Sequence, residues 1–460
     1  MSTAPSDRLL TGAILLGLAV AAGLSVAAFT TGLILYADGA FFSFLVGIQE
    51  SWSQVWYLMP ARVAVYLLTV LPAETARGWG LPAPAAMRLY QALFIAQPFL
   101  GLAACLVPLP REARWLLLFP VLSLLALTVS ALGYPSETML TLAAFWPALY
   151  GWRFARGRIG PALVTLAATA AFVFSHPGMV FGLPLLALAA ALRFREAPAR
   201  RIRLELLLLG AAATALLVLW AWRLAIEMSD PRFVQVGQRM WSLAGLVEVA
   251  RLQPAILVVL LYILLWAALA WRRDGATRWA AWLGFPAVAA LFALLHGEVV
   301  TPESHYYVRT ALVLLLPLLG ALALWSGRIA PSGATTLAMV VALAATQLSH
   351  DVAFIRAWLN YRDGIRASVA DAAPRIVTLE QALAARPDPA GAALVWSWGQ
   401  PYLSLTLPGF DRYAAIVAAA PGAYSPFRCS QMGLVTARAD WVPPETLAAL
   451  QTHVCSERPK

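Results

Sequence analysis

The stretch Leu35–Phe44, LYADGAFFSF, marks the point where the first long apolar run of the chain meets polar surroundings. That run begins at Leu9 and ends at Asp38, the first acidic residue after Asp7. A carboxylate at the mouth of a membrane helix costs free energy unless it is solvated or used, and Gly39 beside it permits a hinge. Solvation alone would explain Asp38. The other ionisable residues predicted on the same side of the membrane favour a functional role.

The composition predicts a polytopic membrane protein. Hydrophobic residues make up 61% and charged residues 12% of the 460 residues, and the mean hydropathy is +0.73. These values lie outside the range of soluble domains. Lys460 is the only lysine, so 32 of the 33 basic residues are arginine. Because the arginines lie in short loops between apolar runs, they indicate membrane topology and give no reason to expect a nucleic-acid partner.

Eleven apolar runs approach the length of about 20 residues that crosses a bilayer. The predicted spans are 9–36, 87–107, 115–132, 138–152, 160–174, 179–193, 205–222, 254–270, 279–295, 310–326 and 334–349. With the N-terminus inside, the inner loops carry 15 arginines, whereas the outer loops are about twice as long and carry 8. The excess of positive charge therefore favours a cytoplasmic N-terminus and an extracytoplasmic tail.

Residues 41–73 are predicted to form one or two helices that lie in the outer interface. The apolar run Met59–Ala73 is short for a span and carries Arg62 near its start. If it crossed the membrane, the richest arginine loops would lie outside, against the charge rule. The aromatic residues of this segment have the spacing of an interfacial helix: Phe41, Phe44, Trp52 and Trp56.

The fold class predicted is an all-α polytopic membrane protein of about 11 transmembrane helices, residues 1–349, with a small C-terminal extracytoplasmic α/β domain, residues 350–460. In this tail the apolar runs shorten. The pattern predicts a helix near 351–384, a strand at 393–398, apolar runs at 403–407 and 413–418, and a helix near 444–453. Cys429 and Cys455 share the tail, so an extracytoplasmic position would allow a disulfide between them.

The predicted outer loop from residue 296 to 309, HGEVVTPESHYYVR, is the densest group of ionisable residues. Imidazole and carboxylate groups suit a divalent metal such as zinc or manganese, although the spacing here is not a known ligand motif. The metal-ligand candidates are His296, Glu298, Glu303 and His305. Glu137 and His176 lie on other predicted outer loops, and Tyr306 is a candidate for stacking on a sugar. A solvated loop is the alternative interpretation.

A second constellation is a general base beside an anion site. Asp38 would accept a proton, and Glu50 is the next acid along the chain. Arg309, Arg62 or Arg251 would hold phosphate oxygens. Arg309 opens a predicted span on the side that is poor in arginine, although snorkelling from the helix end would also explain it. A Ser–His–Asp mechanism has little support, because no G-x-S-x-G elbow is present.

This pattern resembles the GT-C superfamily of integral membrane glycosyltransferases. The shared features are a first span that ends in an acid, interfacial helices, about eleven spans and an outer soluble tail. The resemblance covers residues 9–349 and implies transfer of a sugar from a polyprenyl-phosphate donor to an acceptor glycan, lipid or protein, outside the bacterial inner membrane. In the family an acid of the first outer loop is the catalytic base, which maps onto Asp38. Arginines or a metal near the outer face hold the donor phosphate, which maps onto Arg309.

The chain departs from many members of that superfamily in one respect. They have adjacent paired acids in the first outer loop, whereas Gly39 follows Asp38 here. The resemblance therefore leaves open whether a divalent metal is required. Two other functions remain open: a lipid or polysaccharide transporter or flippase, and a non-catalytic membrane assembly protein. Transporters usually place ionisable groups at the midplane of the membrane, while the predicted spans carry almost no charge at their centres.

Overall fold

The computed structural model describes residues 8–132, 137–155, 159–197, 200–227, 255–271, 284, 304–326, 331–370, 376–378, 381, 399–407, 414–417 and 427–456. Within them the chain is mostly helical and has few strands. The strands are β1 (Ile376–Thr378) and β2 (Ala415–Val417). The helices are α1 (Arg8–Thr31), α2 (Asp38–Ile48), α3 (Val63–Val65), α4 (Leu71–Gly78), α5 (Ala83–Cys105), α6 (Leu118–Leu132), α7 (Thr138–Phe154), α8 (Ile159–Val173), α9 (Leu183–Glu196), α10 (Arg200–Glu227), α11 (Ala255–Trp271), α12 (Ser304–Ser326), α13 (Gly333–Ala370), α14 (Gln400–Thr406), α15 (Cys429–Arg438) and α16 (Pro444–Ser456).

The helices follow the predicted apolar runs, and the bundle has the character of a membrane protein. A helix lies at every predicted span that the structure describes, whereas residue 284 is the sole described position of the run 279–295. By length and composition, four helices of the described chain can cross a bilayer: Arg8–Thr31, Pro177–Glu196, Ile202–Glu227 and Gly333–Val369. Shorter apolar helices lie at Asp38–Ile48, Ile159–Val173, Leu260–Trp271 and Leu315–Ser326.

Helix α1 shows how the bundle is packed. Its buried face is built of small residues, including Ala13, Gly17 and Ala21, and lies against α6 and α13. A Cβ atom at Gly17 would lie 2.7 Å from a methyl group of Val121, so only glycine permits this approach of the two helices. Close packing of small residues is a main source of helix association in membranes. The opposite face carries Val26, which is 61% exposed, as expected of a surface that meets lipid.

The aromatic spacing in α2 has a different cause from the interfacial position predicted. Residues 39–48 are all buried, because α5 covers one side of the helix and α14 covers another. The Phe44 ring packs against Tyr402 and Trp441, with ring centroids 5.5 and 5.7 Å apart. A Cβ atom at Gly47 would lie 2.6 Å from the Trp441 ring. The helix is therefore enclosed by protein.

The rest of the predicted interfacial segment folds back towards the bundle in short turns. A 3-10 turn at Pro60–Arg62 leads into α3, a π-helical turn at Tyr66–Val70 and then α4. Pro72, in the first turn of α4, has no backbone N–H, so it lies where the regular helical hydrogen bonds are interrupted. π-helical turns of this kind are frequent near functional sites.

The predicted boundary between membrane region and tail falls within one long helix. Helix α13 runs unbroken past residue 349 and ends at residue 370, short of the predicted end near 384. Strands β1 and β2 form a parallel pair in which Ile376 lies opposite Ala415. The apolar run at 403–407 belongs to the end of α14, and α16 covers the helix predicted near 444–453. The strand predicted at 393–398 lies outside the described residues.

Of the last two helices, α15 and α16, the first docks against the end of α2 and the chain that follows it. Cys429 and Cys455 form a disulfide that joins these helices, the pair that the sequence suggested. The guanidinium of Arg438 donates to the backbone oxygens of Ile48 and Gln49 at 3.2 and 3.3 Å. These bonds satisfy carbonyl groups at the end of α2, which would otherwise have no partner within the helix. The docking of α15 therefore fixes the position of α2 and its first residue, Asp38.

Candidate functional site

Several loops that are distant in sequence meet at one end of the bundle. The backbone N–H of Ala64 donates to the carbonyl of Phe174 at 3.1 Å, which joins the segment after α2 to the end of α8. Ionisable side chains from five segments of the chain lie in this part of the structure. We call this region the carboxylate end; it is defined by Asp38, Arg62, Glu137, His176 and Glu227.

An arginine between two glutamates forms the centre of the carboxylate end. The Arg62 Nη2 atom lies 2.7 Å from Glu227 Oε1, and Nη1 lies 3.4 Å from Glu137 Oε1. The side chains of Arg62, Glu137 and Glu227 are 15%, 8% and 1% exposed. Burial acts to lower the pKa of Arg62, but Glu227 and Glu137 outweigh it and raise that pKa. With two carboxylates around one guanidinium, Arg62 is better suited to position acids than to hold a phosphate.

Glu227 was not predicted as a site residue, yet it is the most buried acid of this group. It is the last residue of α10, and its Oε2 atom is buried with no hydrogen-bond partner among the residues that the structure describes. A buried carboxylate oxygen without a partner costs free energy, so it is rarely kept without a use. Its signal in the sequence is the one that identified Asp38, an acid at the mouth of a membrane helix. The predicted span 205–222 ended too early to include it.

Asp38 begins α2, where the positive end of the helix dipole favours a carboxylate. The residue before it, Ala37, has φ 52° and ψ −119°, a backbone conformation that residues other than glycine rarely adopt. Asp38 and Glu137 both interact electrostatically with the hydroxyl of Tyr90, a buried residue of α5. Asp38 and Glu137 therefore both lie near the Tyr90 hydroxyl.

Glu50 occupies a different position from Asp38. One of its carboxylate oxygens lies 2.7 Å from Arg438 Nη1, and the other accepts a hydrogen bond from Ser53. Both oxygens are thus engaged in holding α15 against the turn after α2. This arrangement favours a structural role for Glu50 over the role of a base.

Glu74 is a further buried acid that sequence reasoning did not single out. It accepts hydrogen bonds from the Ser51 backbone N–H at 2.9 Å and from the Tyr66 hydroxyl at 3.2 Å. Burial raises the pKa of Glu74 against the opposing effect of these bonds. Burial and the neighbouring Glu74 raise the pKa of Tyr66 to about 12. Glu74 therefore anchors residue 51, at the start of the π-helical turn Trp52–Trp56.

His176 has a local structural task. Its Nδ1 atom accepts a hydrogen bond from the Gly178 backbone N–H at 3.0 Å, and this bond caps the 3-10 turn Pro177–Phe181. The ring is 4% exposed. Beside it, the hydroxyls of Ser175 and Thr141 lie 2.7 Å apart and tie α8 to α7.

The predicted site residues between 296 and 309 stay predictions. His296, Glu298 and Glu303 lie outside the described residues, as does Arg251. His305, Tyr306 and Arg309 lie in the first two turns of α12, for which only the backbone is described. In the described part of the chain, no group of three or more His, Cys, Asp or Glu residues is arranged to hold a metal. This finding does not cover the four metal-ligand candidates, whose side chains are not among those described.

A cavity of about 290 Å³ lies beside the carboxylate end, between the end of α1, the start of α5, α13 and α14. Three arginines line it: Arg88, Arg362 and Arg366. We call it the arginine cavity. The cavity wall includes Leu35, which is three residues before Asp38 in the sequence, and Gln91, which follows Tyr90. Arg88 could have been found from the sequence, because, like Arg309, it opens a predicted span on the side that is poor in arginine.

Comparisons with known proteins do not assign the chain to a family. No protein-family model matches the chain, and no characterised protein or solved structure is significantly similar to it. The function is therefore inferred from the carboxylate end and the cavity beside it.

Proposed function

We propose that this protein is a membrane glycosyltransferase of the GT-C type, which moves a sugar from a polyprenyl-phosphate donor to an acceptor at the carboxylate end. The observation that carries the proposal is the pairing of Glu137 and Glu227 with Arg62 at one end of the bundle, where Asp38 and Glu137 also act on the same Tyr90 hydroxyl. Buried acids brought together from separate helices are typical of active sites. The charged pairs of the described helices lie at the bundle ends, which favours one-sided chemistry over transport through the midplane.

We propose about eleven spans in a bacterial inner membrane, with the N-terminus cytoplasmic and the carboxylate end outside. The uneven distribution of arginine between the two sets of loops supports this orientation. The disulfide between Cys429 and Cys455 supports it as well, because such bonds persist in the oxidising space outside the cytoplasm. In this topology residues 350–460 belong to the outer side.

The reaction requires a base on one face of the sugar and positive charge near the leaving phosphate. Asp38 takes the proton of the acceptor hydroxyl, whose oxygen forms a bond to the anomeric carbon of the sugar. The bond from that carbon to the phosphate oxygen breaks, and the polyprenyl phosphate leaves with the electron pair, with inversion at the carbon. Arg62 holds Glu137 and Glu227 in place beside the acceptor.

A reconstituted transport and transfer assay tests this function. The purified protein is placed in liposomes with a radiolabelled polyprenyl-phosphate hexose and a bacterial lipid and glycan extract as acceptor. We expect the label to appear in a new product. Label that crosses the bilayer unmodified would establish a flippase instead. Label that neither moves nor changes, with a protein shown to be folded, would leave the assembly protein as the function.

A further inference from the structure

We propose that Ala37 is a positioning residue, whose strained turn sets the direction of the Asp38 carboxylate. The turn is held in this state by the part of α13 that follows residue 349 and by the packing of α2. The inference rests on the proposed function only for the role of Asp38 as a base. The strain and its effect on residue 38 follow from the backbone and its contacts.

The link between α1 and α2 ends in a tight turn. The Gly39 backbone N–H donates to the carbonyl oxygen of Tyr36 at 3.1 Å, so residues 36–39 form a β-turn. Ala37 is its second residue, and its φ of 52° and ψ of −119° are close to those of a type II′ turn. That position favours glycine, because a Cβ atom crowds the backbone at this φ. The chain has glycine at Gly32, where φ is 73°, yet it has alanine at residue 37.

The side of the turn towards α1 is held by α13. The Tyr36 ring packs against Phe354 and Trp358, with ring centroids 6.2 and 5.9 Å apart. The backbone oxygen of Thr31, the last residue of α1, accepts hydrogen bonds from Trp358 Nε1 and Arg362 Nη1, both at 3.0 Å. Tyr36 is 1% exposed, so a change of the turn on this side would disturb a buried aromatic cluster.

The other side of the turn is fixed by the packing of α2. The Phe41 ring lies against Tyr402, with ring centroids 5.0 Å apart, and the Phe44 ring lies against Phe427 at 5.3 Å. Arg438 bonds the backbone at the end of the same helix. Because the chain on both sides of the turn is held, the turn itself has to close the gap between them. Strained backbone of this kind persists only where the surrounding structure imposes it, and it is concentrated at functional sites.

The turn determines where the Asp38 carboxylate lies. Asp38 is the first residue of α2, so the direction of its side chain follows from the angle at which the chain enters the helix. Asp38 and Glu137 both act on the hydroxyl of Tyr90, so the carboxylate lies near that buried residue of α5. A base that is already aligned avoids the cost of reorientation during the reaction. A relaxed turn at residue 37 would let the carboxylate adopt other directions.

Thermal unfolding in detergent tests the strain. Ala37→Gly removes the Cβ atom that crowds the backbone, so we expect the unfolding temperature to rise by at least about 1 °C, even though glycine favours the unfolded chain. Ala40→Gly is the matched control, because Ala40 is a buried residue within α2, and it should lower the unfolding temperature. If Ala37→Gly lowers the unfolding temperature as much as Ala40→Gly does, the turn holds no strain and the proposal is overturned.

A spin label at position 38 tests the positioning without any enzymatic activity. In Asp38→Cys the new thiol is open to a nitroxide reagent, whereas the two cysteines of the tail form a disulfide and Cys105 is buried. We expect the central line of the electron paramagnetic resonance spectrum to narrow when Ala37→Gly is added, because the label becomes more mobile. Ala40→Gly should leave the line width unchanged. Equal line widths with and without Ala37→Gly overturn the proposal.

The transfer assay tests whether this positioning serves Asp38 as a base. Ala37→Gly should lower kcat at least about tenfold and leave the KM for the donor within about twofold, because only the direction of the base changes. Ala40→Gly should change neither constant by more than about twofold. Added to Asp38→Asn, Ala37→Gly should have no further effect, since the carboxylate through which it acts is then absent. A further loss of about tenfold in this double variant, or an equal loss in Ala40→Gly, overturns the proposal.

The enzyme and the positioning turn can fail separately. A wild type that transfers no sugar removes the glycosyltransferase, and the unfolding and spin-label measurements then decide whether Ala37 positions residue 38. Transfer by the wild type, with a kcat that is unchanged in Ala37→Gly, supports the enzyme and overturns the role of Ala37.

Discussion

The two ends of the bundle use the same residue types in opposite ways. At the end opposite to the carboxylate end, Arg153 makes a bidentate pair with Glu196 at 2.7 and 2.8 Å, and the Glu196 side chain is 55% exposed. We call that region the arginine end; it is defined by the pair Arg153–Glu196, whereas the neighbouring pair Arg193–Glu205 is largely buried. At the carboxylate end the acids outnumber the arginine, and the side chains of Glu137 and Glu227 are almost fully buried. Solvated pairs cost little and set topology, whereas buried acids cost free energy and indicate function.

The orientation of the two ends in the membrane gives an all-or-none test. A reporter enzyme that is active only outside the cytoplasm should be active when fused after Lys460. The same reporter should be silent when fused after Arg201, in the loop that follows α9. The reverse pattern would place the carboxylate end in the cytoplasm and contradict the proposed topology.

Removal of an arginine should cost several kcal/mol more of folding free energy at the carboxylate end than at the arginine end. Arg62→Ala leaves Glu137 and Glu227 buried without their counter-ion, and the loss of one partner from a buried pair typically costs about 3–5 kcal/mol. Arg153→Ala at the arginine end is the matched control and should cost about 1 kcal/mol or less. Thermal unfolding of both variants in the same detergent measures the difference. Equal losses would contradict the distinction between the ends.

Loss of the disulfide between Cys429 and Cys455 should have the next largest effect on stability. The bond closes a loop whose ends are 26 residues apart, and such a bond stabilises a fold by roughly 3 kcal/mol in the chain-entropy model. The double variant Cys429→Ser and Cys455→Ser should therefore loosen α15 and expose the turn after α2 to protease. Thiol labelling of the unreduced, denatured wild type should find one thiol, Cys105. Three labelled thiols would show that the bond does not form.

Substitution of Glu74 should have the smallest effect on stability, and the sign of its pH dependence can be predicted. Burial raises its pKa in the folded state above the usual value, so the folded protein binds this proton more readily than the unfolded chain. Its contribution to stability is therefore lost as pH rises from about 4.5, the unfolded value, through the raised folded pKa. Glu74→Gln should unfold at nearly the wild-type temperature at acidic pH and show a flatter pH dependence above it. A steeper dependence in the variant would contradict this sign.

The sequence predicted the end of the bundle better than the details of its site. Asp38, Arg62 and Glu137 were assigned to one side from charge and hydropathy. The structure pairs Arg62 with Glu137 and places Asp38 and Glu137 near the same Tyr90 hydroxyl. Glu227 was missed because Arg223 lowers the hydropathy of the last turn of α10, so the predicted span stopped at 222. Arg62 and Glu227 are 165 positions apart, so their pairing leaves no local pattern in the sequence from which it could be predicted.

Two elements show why local patterns misled. The aromatic spacing of α2 fits a helix in an interface, but the same spacing fits burial, and only the C-terminal residues Tyr402 and Trp441 decide between them. The charges after residue 349 resemble a domain boundary. Helix α13 continues through them because Phe354 and Trp358 pack on Tyr36, at 6.2 and 5.9 Å between ring centroids. In both elements long-range packing outweighed local composition.

The turnover of Asp38→Asn in the reconstituted transfer assay tests the central claim most directly. Asparagine keeps the shape and the hydrogen-bonding capacity of the side chain but cannot accept the acceptor proton. A positioned base contributes about 10²- to 10⁴-fold, so we expect turnover to fall at least about a hundredfold while folding and donor binding persist. Glu112→Gln, an exposed acid in the turn that follows α5, is the matched control and should retain turnover. Near-normal turnover of Asp38→Asn, with loss in Glu50→Gln or Glu227→Gln, would contradict the assignment of Asp38 as the base.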